Sequence, residues 1–358
     1  MRYIISFLLT SAALPALTLP ALAEVPRVVT DIPPVHSLVA QVMGDLGQPE
    51  LLLEKGANAH SFQLRPSQAE GLQEAGLVVW IGPEMTPWLD RALAGVSEAK
   101  ELRLLTAEGT FRQEFSAKSG HDHGTEEGHG DHAHDEAGHD EHGHDDHGHE
   151  GHDHGAEAKA EAGHDDHAHD DHNHDDHAHD DHAGHSHTGL DPHAWLDPAN
   201  ARHWLGLIAA ELSAQDPENA GTYAANAEKA SAELTALDAE IATLLTPAKD
   251  KPLVVFHDAY GYFASHYGLT IAATIAEGDA AKPGAKHIAE IEALLAQGPA
   301  CLFPEANHDP KLVAQLAEAT GLTPAAALDP EGSFIDPGPA LYGQMLRAMA
   351  QTIADCAS

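Results

Sequence analysis

Between His121 and His187 the chain has almost nothing with which to build a core. Those 67 residues hold 22 of the 30 histidines and 22 Asp or Glu, against a single base, Lys159. From His164 to His182 the run HDDHAHDDHNHDDHAHDDH repeats every five residues and contains no aliphatic side chain larger than alanine. So little apolar surface cannot offset the entropy of ordering the backbone, and the stretch is expected to be disordered when empty. Its chemistry is metal capture. Imidazole is the commonest ligand of borderline divalent ions, and interleaved carboxylates concentrate cations and accept from the second ring nitrogen. A merely solvated acidic linker is the bland alternative, but ordinary linkers draw on Gly, Ser, Pro, Glu and Lys. The repeat marks His164, His167, His169, His172, His174, His177, His179 and His182 as accessory ligands and leaves open whether they form the principal site.

The N-terminus carries an address. Arg2 precedes a mostly apolar run from Ile4 to Leu22, and Ala21-Leu22-Ala23 closes it in a small-x-small pattern, so residues 1–23 read as a cleaved secretory signal. Pro15 and Pro20 break the run, which argues against a retained membrane helix, and no cysteine stands at the cleavage point to take a lipid. The expected location is a bacterial periplasm or a cell exterior. Cys301 and Cys356, the two cysteines, suit that oxidising address. A disulfide between them would close a 55-residue loop, worth up to about 4 kcal/mol in the chain-entropy model. Two free buried thiols are the alternative.

Charge narrows the partners. The histidine stretch carries −21 of the formal −39, and the remaining −18 still argues against nucleic acid or anionic membrane. Removing signal and insert leaves roughly 270 residues, enough for two lobes.

The remaining pattern alternates short apolar runs with helical periods. Val28 to Thr30, Leu51 to Leu53, Leu77 to Gly82 and Glu101 to Thr106 are expected strands in the first half. Pro33-Pro34 is expected to force a turn before a helix at Leu38 to Met43, with further helices from Pro66 and Pro87. A helix from about Ala199 to Ala214 follows, then one long helix from Pro217 to Leu245 whose stripe of Leu234, Leu237, Ile241, Leu244 and Leu245 should face the body. The second half repeats the grammar. Its strands are expected at Leu253 to Phe256, Thr270 to Ile275, Cys301 to Pro304 and Ala325 to Leu328. Its helices are expected at Asp258 to Tyr267, His287 to Gln297, Pro310 to Thr320 and Gly338 to Cys356. The fold class is α/β: two lobes with parallel sheets, a long rigid helix between them and a ligand cleft at the carboxyl ends of the strands. The expected boundaries are residues 24–214 for the first lobe, with the insert at 118–189, 215–247 for the linking helix and 248–358 for the second lobe.

Eight histidines lie outside the insert. His60, His193 and His257 fall where an α/β lobe presents side chains to a cleft, in a loop after a strand, in a proline-framed turn before a helix, and at a strand end. His36 is a reserve ligand in a strand-to-helix loop. His203, His266, His287 and His308 sit in helices or at helix starts, where histidine is commonly a surface residue.

Gly56-Ala57-Asn58-Ala59-His60-Ser61-Phe62 with Leu64-Arg65-Pro66-Ser67, Trp80-Ile81-Gly82-Pro83-Glu84-Met85, Asp191-Pro192-His193-Ala194-Trp195-Leu196 and Val255-Phe256-His257-Asp258-Ala259-Tyr260-Gly261-Tyr262-Phe263 together resemble the periplasmic zinc-binding proteins of high-affinity zinc ABC importers. The resemblance covers nearly all of the mature chain and includes a histidine-rich acidic insert at the same place. It implies Zn2+ held in the cleft by His60, His193 and His257, a solute-binding protein rather than an enzyme, an ABC permease as partner, and a monomer. A periplasmic zinc chaperone is a further candidate partner. Asp329 matches the aspartate that closes the site in manganese relatives and is the candidate fourth ligand, with water or an insert histidine as alternatives. Some members carry an acid directly before the first histidine; here that position is Ala59.

Three rival functions remain. Manganese or iron import is the nearest, but related binders of those metals place a Glu where this chain has His257, and an imidazole there shifts preference toward zinc. A zinc hydrolase or hydratase is the second, since three histidines with an open position can activate water. Asp258 and Glu305 are conceivable bases for it, without a zincin motif. The third is a buffer or adhesin built on the insert alone. With His187 six residues before His193, the insert is tethered at the cleft, and a flexible chain of its length spans roughly 45 Å. Its expected role is to collect or sense weakly held zinc beside a separate tight site.

Overall fold

The computed structural model describes residues 25–96, 98–115, 189–276 and 283–358. The signal expected at residues 1–23 and the histidine stretch with its accessory ligands lie outside the described residues.

The first half alternates β1 (Val28–Thr30), α1 (Pro33–Met43), β2 (Glu50–Leu51), α2 (Pro66–Gln73), β3 (Leu77–Trp80), α3 (Pro87–Val96) and β4 (Lys100–Arg103). Its four strands form a parallel sheet in the order β2-β1-β3-β4. Two helices follow, α4 (Pro198–Gln215) and α5 (Ala220–Leu244). The second half runs β5 (Pro252–Val255), α6 (Gly261–Tyr267), β6 (Thr270–Thr274), α7 (Ala285–Leu295), β7 (Cys301–Leu302), α8 (Lys311–Thr320) and α9 (Leu341–Ala357). Its sheet is also parallel, in the order β6-β5-β7. No helix among the described residues is long and apolar enough to cross a membrane.

Strand periodicity explains how these layers stack. Successive side chains on a strand face opposite sides. Val28, Leu77, Val79, Leu253, Val255, Cys301 and Phe303 enter one continuous core with α1, α4, α5, α6 and α9. Their neighbours Val29, Val78 and Trp80 turn to a second cluster with Leu72, Trp88 and Leu89, while Val254 and Leu302 turn to a third with Ile291, Leu295 and Val313. The central strands β1, β3 and β5 are thus covered on both faces, which is why they read as unbroken apolar runs, while the edge strand β4 is largely exposed.

The long helix is two pieces. Pro217–Asn219 forms a 3-10 turn before α5, and Tyr223, Ala227, Ala230, Leu234, Leu237 and Ile241 bury one stripe of α5. The closing helix α9 packs against both α5 and α1. Ser37 Oγ of α1 donates to Pro339 O and accepts from Tyr342 N, each at 3.0 Å. A disulfide joins Cys301 of β7 to Cys356 of α9, Cα to Cα 5.9 Å.

Three local expectations change. Pro33 and Pro34 open α1 instead of preceding it, because proline's missing N–H is not needed in a first helical turn. Residues 325–328 do not form a fourth strand; Ala325 N and Leu328 N reach Leu302 O and Pro304 O at 2.9 Å each, but only the single Glu305–Leu328 bridge forms and Ala326 and Ala327 stay exposed. The helix expected from Asp258 begins only at Gly261, and residues 257–260 form a turn in which Ala259 N donates to His257 O at 3.0 Å.

Candidate metal centre

Three loops converge at the carboxyl ends of the strands. His60 lies between β2 and α2, His193 directly precedes the 3-10 turn Ala194–Leu196, and His257 follows β5. One ring nitrogen from each lies within 4.8 Å of the other two. The ring centroids of His60 and His193 are 5.8 Å apart, and those of His193 and His257 are 5.4 Å apart. All three are buried or nearly so, with His193 1% and His257 3% exposed.

Local hydrogen bonds aim each ring. Asp191 Oδ1 accepts from both the backbone N and the Nδ1 of His193, at 2.9 and 2.8 Å. Asp191 is itself fixed: Tyr262 OH donates to its carbonyl at 3.0 Å, and its N donates to Gln113 O at 3.0 Å. Gly261 makes this fit possible, since a Cβ there would collide with Gln113 Nε2 and stand 3.1 Å from Asp191 Oδ2. His257 Nδ1 donates to Glu305 Oε2 at 2.7 Å, and Tyr260 OH donates to the same oxygen at 3.0 Å. His60 N donates to Asn58 Oδ1 at 2.8 Å, and Trp88 Nε1 of α3 donates to Ala59 O at 2.6 Å.

The electrostatics favour a cation. Burial lowers the pKa of His193, against the raising effect of Asp191. Burial alone would raise Glu305, but His257 and then His308 outweigh it and hold the carboxyl down at about 2. Burial, helped by the charge of Asp191, pushes Asp258 up to about 6. The Nε2 of His193 is buried and makes no hydrogen bond. A buried polar atom in that condition costs about 1–3 kcal/mol unless something else satisfies it. A divalent ion coordinated by neutral imidazoles does so, and the donor set fits a borderline ion.

The remaining expected residues are elsewhere. Asp329 does not join the convergent histidines; its Oδ1 accepts from Ser333 N at 2.9 Å and its Oδ2 from Phe334 N at 3.2 Å. His36 Nε2 faces Pro49 O at 3.2 Å. His203 meets Glu108 O and His287 meets Thr274 O, while His266 bridges Asp197 and Asp238. His308, expected as a surface residue, instead stands beside Glu305 and stacks on Phe256 at 4.3 Å. Sequence reasoning did not identify Asp191 and Glu305 as the carboxylates behind the rings. The first was accessible from the Asp-Pro-His spacing, and the second from its place just past β7, the neighbour of β5.

The chain matches, over residues 28–356, the family described as zinc-uptake complex component A, periplasmic. It is similar to the High-affinity zinc uptake system protein ZnuA of Paracoccus denitrificans (strain Pd 1222), at 54% identity over 353 residues that cover 98% of each chain. The protein of the same name from Brucella suis biovar 1 (strain 1330) is 38% identical over 364 residues, covering 100% of both. Among solved structures, a crystal structure of ZnuA shares the fold with a TM-score of 0.65 at 22% identity, covering 93% of this chain and 100% of that one.

Proposed function

This chain belongs to the family of periplasmic A components of zinc-uptake complexes, and on that premise we propose that it captures zinc in the periplasm and delivers it to the permease of an ABC-type importer. The observation that carries the reading is the convergence of His60, His193 and His257 within 4.8 Å, with a carboxylate behind two of the rings. A carboxylate on Nδ1 sets the tautomer that presents an Nε2 lone pair to the ion, and it raises the basicity of the ligand. Zinc is the cargo. Ligands at a Zn–N distance of about 2.0–2.1 Å stand roughly 3.4 Å apart on a tetrahedral ion, within the 4.8 Å bound on the three ring nitrogens. His60 and His257 come from the loops of different sheets, and the ion would hold those sheets in one closed arrangement.

The fourth position falls to Asp329, to water or to a histidine of the insert. Asp329 takes it only by giving up the N–H groups of Ser333 and Phe334. In this reading the histidine-rich stretch is an accessory collector, the mature chain starts near Glu24 after signal cleavage, and the protein acts as a monomer. A zinc chaperone is a second partner.

Zinc competition titration tests the assignment. His60→Ala should abolish tight stoichiometric binding, a larger loss than the roughly 10–100-fold that an outer-sphere partner is worth. Deleting residues 121–187 should lower the total zinc load and leave the tight site. Unchanged tight binding in His60→Ala would overturn the three-histidine assignment.

A further inference from the structure

His257 stands between two clusters. Its ring centroid is 5.4 Å from that of His193 on one side and 5.7 Å from that of His308 on the other. On the second side, ligand atoms of His257, Glu305 and His308 again lie within 4.8 Å of one another. Glu305 Oε2 is occupied by His257 Nδ1 and Tyr260 OH. Its Oε1 lies 3.4 Å from His308 Nε2. That separation is long for an N–H···O hydrogen bond, which prefers about 2.7–3.2 Å. It matches the roughly 3.4 Å edge of a tetrahedron whose metal–ligand bonds are about 2.1 Å. Stacking on Phe256, with rings 28° from parallel, keeps His308 in place.

Charge points the same way. Glu305 is buried, and its ion-pair partners among the described residues are His257 and His308, which are charged only when protonated. A buried carboxylate set between two imidazoles is a donor group that a bound cation satisfies.

The geometry points to a second divalent-cation position, held by Nδ1 of His257, Oε1 of Glu305 and Nε2 of His308, that exchanges with the three-histidine pocket. It rests on the zinc-capture reading of that pocket. A neutral imidazole has one lone pair and one N–H, so His257 serves one position at a time. With the ion among the three histidines, Nε2 of His257 is the ligand and Nδ1–H donates to Glu305. With the ion in the second position, Nδ1 is the ligand and the proton sits on Nε2. The exchange transfers one proton between the nitrogens of the ring and releases Glu305 to the ion. The donor set of two imidazoles and one carboxylate takes first-row divalent ions, zinc included. The His308 side chain is 13% exposed, against 2% for His193 and 4% for His257, while His60 of the pocket is 9% exposed, so each position has one ligand near the surface.

Anomalous diffraction at the zinc edge, from crystals of the full chain grown with zinc, separates the two positions. Wild type should show its peak among His60, His193 and His257. His60→Ala disables only that pocket, and the peak should move to Glu305 and His308. His193→Ala, which disables it from another loop, provides a second background with the same expected shift. Adding His308→Ala to either variant should remove the peak. A peak that stays beside His257 on the pocket side, or none at His308 in both backgrounds, overturns the second position. A wild-type protein with no peak at the three histidines would instead overturn the zinc-capture reading itself.

Discussion

His193 and His257 are held differently from His60. Each of the first two has a buried carboxylate on Nδ1, at 2.8 and 2.7 Å, and each carboxylate is itself fixed by a tyrosine, Tyr262 through the Asp191 carbonyl and Tyr260 directly on Glu305. His60 is placed by its loop, through the Asn58 side chain on its own N–H and the Trp88 indole on the preceding carbonyl. Ala59, directly before this histidine, is fully buried and brings no carboxylate to it. Two ligands are therefore aimed before the ion arrives, with negative charge behind them, while the third is carried on a loop from the other sheet. Such a division suits a carrier that must both hold zinc and give it up. All three ligands supply affinity, two of them through rings backed by carboxylates and one through its loop.

Removing the bracing should have the larger effect. Asp191→Asn or Glu305→Gln keeps each ring but loses the charge that sets its tautomer, and zinc affinity should fall about 10–100-fold for either change. Competition titration against a chelating dye measures it. Disturbing the loop should have a smaller effect. Trp88→Phe keeps the packing with Phe62, whose ring centroid is 5.2 Å away, but leaves the Ala59 carbonyl without its indole donor. A lost hydrogen bond of this kind costs about 1 kcal/mol, roughly five-fold in affinity if all of it falls on the position of His60. The comparison breaks if Trp88→Phe costs more than either carboxylate change.

The contrast also shows what could be read from the chain. His60, His193 and His257 stood out because each follows or precedes a recognisable element, and a parallel α/β sheet delivers such positions to one edge. Their bracing did not stand out equally. Asp191 is two residues from His193, but Glu305 lies 48 residues from His257 and meets it only because β7 pairs with β5. His308 was hidden for the same reason. Asp329 is the reverse case: its motif suggests a ligand, while in this structure its two carboxylate oxygens accept from the backbone N–H groups of Ser333 and Phe334. Strand positions were legible from apolar runs, yet the weak pairing at residues 325–328 and the return of α9 onto α1 depend on contacts that no local pattern encodes.

The smallest effect is expected from pH near neutrality, and it separates the braced pocket from the histidine stretch. Protons compete with metal for a neutral imidazole only near and below the pKa of that ring. An exposed histidine titrates near 6.5. Burial lowers His193 below that value, so His193 keeps its lone pair after exposed histidines have begun to protonate. Between pH 7.5 and 6.5 proton competition at His193 should therefore weaken the tight site by less than about two-fold, with the steep loss at lower pH. A peptide of residues 164–182, whose histidines have no core to bury them, should lose zinc through pH 6.5 itself. Apparent affinities of the full chain and of the peptide, followed from pH 8 to pH 5, place the two breaks. If the breaks coincide, or if the pocket weakens first, burial does not insulate His193, and the asymmetry between braced and loop-borne ligands loses its electrostatic half.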